Sequence, residues 1–315
     1  MIAPMRTVAV VGAGLVGLGW AIVFARAGVS VRLFDGDSGI LDEAPGRLRG
    51  SLADMARHGL LNEPEDVILG RVLPVQTLQH AVGTADYVQE SVFERVDVKQ
   101  AVCQEIGAAM RADAVVGSSS SGIPASAFTA DLPNRARFLV VHPVNPPHLV
   151  PLVELVPAPW TDPAILPWLR GEMERLGQAP IVVNREIEGF VLNRLQGALL
   201  NEAWALYEAG VASAADIDRT VSEGLGYRWS FMGPFETIDL NAPGGIADYA
   251  RRLGPLYHGI AASRTDPQPW SPALIERAER DRRTLLPAEK LRSRASWRDR
   301  RLMALVAHRR TQPDD

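Results

Sequence analysis

Short apolar runs alternate with longer amphipathic stretches through about the first 185 residues of the chain. TVAVV (7–11), VSVRLF (29–34), ADYVQE (85–90), AVVGS (114–118), FLVVH (138–142), LVELV (152–156) and PIVVN (180–184) have the length and composition of strands. Strands separated by helical stretches predict an α/β domain built on a Rossmann-type doubly wound sheet, mostly parallel at least in its first half. From Ile187 onward the period changes. Leu192, Leu195, Leu199, Ala203 and Leu206 recur every three or four residues, the stripe of an amphipathic helix that ends near Gly210. Ser213, with Asp216 three residues later, offers the cap of a second helix. The pattern places a boundary near residue 186, between an α/β domain at 1–186 and an all-α domain at 187–315.

Composition narrows the classes. The 315 residues are 47% hydrophobic, ample for packed cores, and a formal charge of −4 provides no basic field for a nucleic acid. No stretch approaches the roughly 20 apolar residues of a membrane helix, and the chain enters its first strand almost at once, so a cytoplasmic protein without a membrane partner is expected. The one cysteine, Cys103, cannot form an internal disulfide and sits in the helical VKQAVCQEIGAAM, where it reads as a small buried hydrophobe. The arginine-rich end of the chain also carries Asp266, Glu276, Glu279, Asp281, Glu289 and Asp299, as solvated helix faces do. No metal site is expected.

VAVVGAGLVGLGW spaces Gly12, Gly14 and Gly17 as GxGxxG between a strand and a helical stretch. The first glycine permits a tight turn, the second lets backbone approach a pyrophosphate, and the third lets helix pack on strand. The N–H groups of Leu15 and Val16 then stand at the positive end of the helix. The second strand ends in Asp35, 18 residues past Gly17, where a carboxylate accepts ribose hydroxyls and repels a 2′-phosphate. GDSG after it offers no arginine for that phosphate. The combination predicts a dinucleotide site that prefers NAD. FAD-binding proteins share the strand, loop and acid, so the chemistry must be read from the remaining polar residues.

VVGSSSSGIP sets serines 118 to 121 just after an apolar strand, and FLVVHPVNPP brings His142 to the same edge of the sheet, with prolines fixing the backbone around Asn145. Ligands of doubly wound sheets sit beyond the carboxyl ends of the strands, so these groups face the reactive end of a bound dinucleotide. The apolar run LVPLVELV then holds a single carboxylate, Glu154. Buried alone it would neutralise or cost several kcal/mol, so it needs a partner, either His142 or one of the many arginines. Paired with His142, it would set the imidazole tautomer and leave the other ring nitrogen to accept a proton from a substrate hydroxyl.

At these residues the sequence resembles the 3-hydroxyacyl-CoA dehydrogenase superfamily, through GAGLVG, SSSSG, HPVNP, LVELV, EGFVLNRL and MGPFE. It is similar in particular to the lambda-crystallin branch, the L-gulonate 3-dehydrogenases, which share HPVNPP, PLVELVP, GFVLNRLQ, EAW, SEGLG and WRD over nearly the whole chain. The resemblance implies a catalytic histidine at His142 with its glutamate at Glu154, a substrate-binding serine at Ser121 and an asparagine at Asn193. It also implies NAD contacts at Asp35, Glu90 and Asn145, and a homodimer formed through the helical domain.

Acyl-CoA members of the family hold the nucleotide part of CoA with a serine and a lysine after the second strand. RGSLADMARHG keeps Ser51 but has His58 near the place of the lysine. GLGYRWSFMGP carries a short insertion with Arg228, which the lambda-crystallin branch also has. A guanidinium grips a free carboxylate bidentately, and a small 3-hydroxy acid has one where a thioester does not. The expectation is NAD-dependent oxidation of the 3-hydroxyl of a small, L-gulonate-like 3-hydroxy acid. The alternatives are a 3-hydroxyacyl-CoA dehydrogenase, a carnitine-type substrate caged in part by Trp229 and Trp204, and, in another class, a non-catalytic crystallin-like structural protein.

Overall fold

The structure, a computed structural model, describes residues 2, 4–264, 266 and 268–312. Eight strands form one sheet: β1 (Thr7–Val11), β2 (Ser30–Phe34), β3 (Val72–Pro74), β4 (Tyr87–Glu90), β5 (Val115–Ser118), β6 (Phe138–Pro143), β7 (Leu152–Pro157) and β8 (Ala179–Val182). Their order is β3-β2-β1-β4-β5-β6-β7-β8. Every neighbouring pair is parallel except β6 and β7. The winding reverses between β1 and β4, which creates the crevice where ligands of such sheets bind. Strand β3 escaped the apolar pattern. It has three residues, ends in Pro74 and lies at the sheet edge with Leu73 exposed, so it has neither the length nor the burial that makes a strand legible.

Strand alternation divides the apolar residues between the two faces. Val8, Val10, Val31, Leu33, Val141 and Leu155 join a cluster with Trp20 and Phe24 of helix Leu15–Arg26, Leu48 and Leu52 of helix Ser38–Arg57, and Leu169 and Met173 of helix Ile165–Arg175. Val11, Val88, Val116, Val140 and Val156 join the other with Cys103 and Ile106 of helix Val96–Ala109. Cys103 is fully buried, and burial pushes its thiol well above the usual range, which leaves it inert.

The chain forms two compact units, Met1–Leu195 with Arg294–Asp315, and Gln196–Ser293. Residues just past 186 stay with the sheet because Phe190 is fully buried in its second cluster. The last helix, Leu291–Arg309, also returns to the sheet, packing Leu302, Met303 and Val306 against the first cluster. The unit 196–293 is helical. The helix carrying the leucine stripe runs from Leu192 to Glu208, Gly210 follows at φ +67°, and Ser213 accepts a hydrogen bond from the Asp216 N–H to start helix Ala214–Thr220. Within this unit, Tyr207 donates to Asp281 at 2.7 Å beneath the Arg277 guanidinium, and Trp204 stacks on Trp270 at 4.7 Å. Among the described residues, no helix is long and apolar enough to cross a membrane.

Candidate active site

The turn after β1 is shaped by two glycines that nothing larger could replace. Gly12 sits at φ +105°, and a Cβ there would lie 2.5 Å from the Ser91 carbonyl oxygen. A Cβ on Gly17 would lie 1.8 Å from the Gly12 carbonyl oxygen. Gly14 differs, since a Cβ there meets nothing within 4 Å. The open space it faces lies over the start of helix Leu15–Arg26, whose first turn has no acid and whose Gly14 cap offers no side chain to its N–H groups. Leu15 is exposed and Val16 half-buried, so these positive backbone ends face outward. Asp35 closes the turn, its Oδ2 accepting from the Ala13 N–H at 2.7 Å and its Oδ1 from the Asp37 N–H at 2.9 Å. An anion-binding helix start, a gap beside Gly14 and a carboxylate at the end of β2 fit the pyrophosphate and ribose of NAD.

His142 and Glu154 are directly opposed across β6 and β7. Nδ1 of His142 lies 2.7 Å from Oε2 of Glu154, with the two residues 5% and 0% exposed. Because an ionised carboxylate only accepts, Nδ1 carries the proton, and in that tautomer of the neutral ring Nε2 is the acceptor nitrogen. The other carboxylate oxygen, Oε1, accepts from the Val191 and Leu192 N–H groups at 2.9 and 3.0 Å, where helix Leu192–Glu208 begins. Burial pushes the Glu154 carboxyl up, but the His142 hydrogen bond and those two N–H donors outweigh it and hold the group below the usual glutamate value. The backbone bends to deliver those donors: Gly189 and Phe190 have φ +73° and +49°, and the Phe190 ring packs 5.8 Å from the imidazole. Of the two partners the sequence allowed Glu154, the histidine is the one present.

The four serines have four different environments. Ser118 donates to Glu90, and Ser119 Oγ meets Trp20 Nε1, Gln89 Nε2 and Ser91 Oγ. Ser120 lies between Glu94 Oε1 and the Ile123 carbonyl. Ser121 is the exposed one, and its backbone N–H donates to Glu94 Oε1 at 2.8 Å. Burial pushes Glu94 up, yet Lys99, the Ser120 hydroxyl and the N–H groups of Ser121 and Gly122 hold its carboxyl lower than usual. Glu94 therefore pins the turn that presents Ser121. Sequence reading passed over both Glu94 and Lys99.

Glu90, which the resemblance makes a cofactor contact, is fully buried. Its oxygens are taken by Lys99 Nζ at 3.1 and 3.2 Å, the Ser118 hydroxyl and the Val92 N–H. It has no exposed atom here, and its charge acts on Lys99. Asn193 is brought to the serine turn, its Nδ2 donating to the Ser121 carbonyl at 2.5 Å. Asn145 is exposed just beyond β6. Arg228 is exposed in the helical unit, in the short helix Gly226–Trp229. One face of Trp204 is covered by Trp270, and Trp229 is exposed at the end of the short helix Gly226–Trp229. His58 ends helix Ser38–Arg57, its Nδ1 2.8 Å from the Asp54 carbonyl oxygen.

A dinucleotide turn at the switch point of a doubly wound sheet, with a carboxylate-bound imidazole at the same sheet edge, defines an NAD-dependent oxidoreductase. The 3-hydroxyacyl-CoA dehydrogenase NAD binding domain matches residues 7–187, and the 3-hydroxyacyl-CoA dehydrogenase C-terminal domain matches residues 189–284; the chain belongs to this family. It is 39% identical to a lambda-crystallin homolog of Bos taurus over 95% of this chain and 94% of the relative. With an L-carnitine dehydrogenase of Streptomyces griseus it shares 37% identity over 80% of this chain and 74% of that one. A solved structure of a 5-formyl-3-hydroxy-2-methylpyridine 4-carboxylic acid 5-dehydrogenase, an NAD+-dependent dismutase, superposes with a TM-score of 0.82 at 27% identity, covering 97% of this chain and 98% of that one.

Proposed function

We propose that the protein oxidises the 3-hydroxyl of a small 3-hydroxy acid, of L-gulonate type, to the 3-keto acid. The observation that carries this reading is the buried 2.7 Å contact between His142 Nδ1 and Glu154. It leaves Nε2 as an acceptor for the substrate hydroxyl proton, and the carboxylate stabilises the imidazolium that results. NAD, when bound, supplies the acceptor for the hydride that leaves the carbinol carbon. Gly12, Gly14, Gly17, the N–H groups of Leu15 and Val16, and Asp35 would hold it, with Asn145 beside them. Ser121 orients the hydroxyl from the turn that Glu94 fixes. Asn193, tethered to that turn, donates to the oxygen as it becomes a carbonyl. Arg228 pairs with the free carboxylate of the substrate.

The chain acts as a homodimer through residues 196–293 in this reading. Support comes from the apolar side chains exposed there, among them Tyr227, Phe231, Phe235, Leu240, Leu256 and Ile260.

A 3-hydroxyacyl-CoA substrate is the second reading, favoured by a 34% identical 3-hydroxyacyl-CoA dehydrogenase of Gibberella moniliformis covering 98% of this chain. NADH formation with a panel of free 3-hydroxy acids, carnitine among them, and 3-hydroxyacyl-CoA thioesters separates the two. The first reading expects kcat/KM to be highest for a free acid and expects Arg228→Gln to raise its KM by roughly 10–100-fold, the scale of a charged hydrogen bond. Preference for a thioester, with no response to Arg228→Gln, would transfer the assignment to the second.

A further inference from the structure

Helix Leu15–Arg26 begins at the dinucleotide turn, and its other end opens onto a second concave site in the same unit. Twelve helical residues at about 1.5 Å each separate the two by roughly 18 Å. The cleft, of about 280 Å³, is lined by Arg26, Pro147, His148 and Leu149, by Pro151 and Gly177, and by Val306, Arg309 and Arg310 of the chain's last turns. No acidic residue lines it. Among the described residues, none of the three guanidinium groups pairs with a carboxylate. Arg26 donates to the His148 carbonyl at 2.9 Å and Arg310 to the Leu60 carbonyl at 3.2 Å. Asp299, whose charge acts on His148, is paired with Arg298 at 2.7 Å.

Such a cluster is electrostatically unfinished. Burial and the charge of Arg310 pull Arg26 down to about 10, a sign that its charged form lacks compensation. His148 is drawn to about 4 by burial and by Arg26, and its Nδ1 is buried without a hydrogen-bond partner. Cations at helix C-termini are ordinary, since each terminus carries about half a negative charge. Three guanidiniums around one cleft exceed that need, and a buried cation without a counter-charge is costly.

We propose that this cleft binds a small oxyanion, of the phosphate or polycarboxylate class, between Arg26, Arg309 and Arg310, separate from the positions of dinucleotide and hydroxy acid. Planar, multi-donor guanidiniums suit the tetrahedral or forked oxygens of such a ligand. Residues 147–151 belong to the connection between β6 and β7, the strands of His142 and Glu154. A bound oxyanion therefore clamps the last helix to the loop behind the catalytic pair.

The test is the unfolding temperature of the NADH-saturated protein in inorganic phosphate or citrate, against chloride at equal ionic strength. Wild type is expected to gain about 4 °C well above the dissociation constant. The larger gain, with phosphate or with citrate, identifies which source the site prefers. Arg228→Gln should keep the gain, and the double variant Arg309→Gln/Arg310→Gln, altered only at exposed side chains, should lose it. No gain in wild type with either anion, or a gain that survives in the double variant, would overturn the proposal, the latter by locating the anion at the nucleotide or substrate position.

Discussion

Residues 1–195 and residues 196–293 handle apolar surface in opposite ways. The sheet unit sorts its valines and leucines by strand alternation into two buried clusters, and every residue of β4, β5 and β6 is buried. The helical unit has no comparable interior. Helix Gly245–Ala262 has no buried residue at all, while Ile246, Leu256, Tyr257 and Ile260 are exposed along it. A densely buried sheet suits the proton acceptor proposed at His142, which must be held to within a fraction of an ångström. The homodimer proposed above would cover the unburied apolar faces of the helical unit with the matching surface of a second copy.

The comparison can be broken at either unit. The largest effect is expected at the sheet: His142→Ala should lower kcat by roughly 10²–10⁴ while leaving the sedimentation coefficient unchanged. Steady-state turnover near wild type would end the assignment. Next, Leu256→Asp with Ile260→Asp should weaken dimerisation by roughly 30-fold or more, the scale of losing an interface anchor, without altering NADH affinity of the sheet unit. Sedimentation equilibrium measures it, and an unchanged association constant would remove that helix from the interface.

A finer contrast lies within the glycine turn. Gly17→Ala forces a contact with the Gly12 carbonyl and should cost about 1–3 kcal/mol of stability. Gly14→Ala meets only open space, so its melting temperature should match wild type while NADH binding weakens. Equal melting temperatures for both would contradict the packing described. The smallest effect concerns His148, whose folded value of about 4 lies below its ordinary 6.5. A depressed histidine favours the folded state above 6.5, and that contribution is lost as pH falls from about 6.5 towards 4, because the unfolded chain takes up the proton first. His148→Gln should therefore show a shallower loss of stability across that interval in chemical denaturation.

Much of this was legible from periodicity. Seven strands, the stripe of helix Leu192–Glu208 and the Ser213 cap rest on local rules of alternation, helical repeat and capping, which act over a few residues. The pairing of His142 with Glu154 was readable because a lone carboxylate in an apolar strand demands a partner. What sequence could not supply was the antiparallel register that sets them opposite one another, since strand pairing is decided by tertiary packing. Lys99 did leave a signal, for it shares the buried face of its helix with Cys103 and Ile106 at positions i, i+4 and i+7. A lysine on an apolar stripe calls for a buried acid, and following it leads to Glu90 and then Glu94. Which of those two acids the sheet buries and which one holds the serine turn is set by the tertiary fold, and four residues of spacing do not reveal that.

In the proposed mechanism Glu154 fixes His142 as the Nδ1–H tautomer and frees Nε2 to take a proton. Nitrogen-15 NMR of the protein labelled in its histidine rings, at neutral pH with NAD bound, reads this directly. The His142 ring is expected to show a strongly hydrogen-bonded proton on Nδ1 and none on Nε2, and Glu154→Gln is expected to lose that signature. A proton on Nε2 in the wild-type protein, with Nδ1 bare, would contradict it.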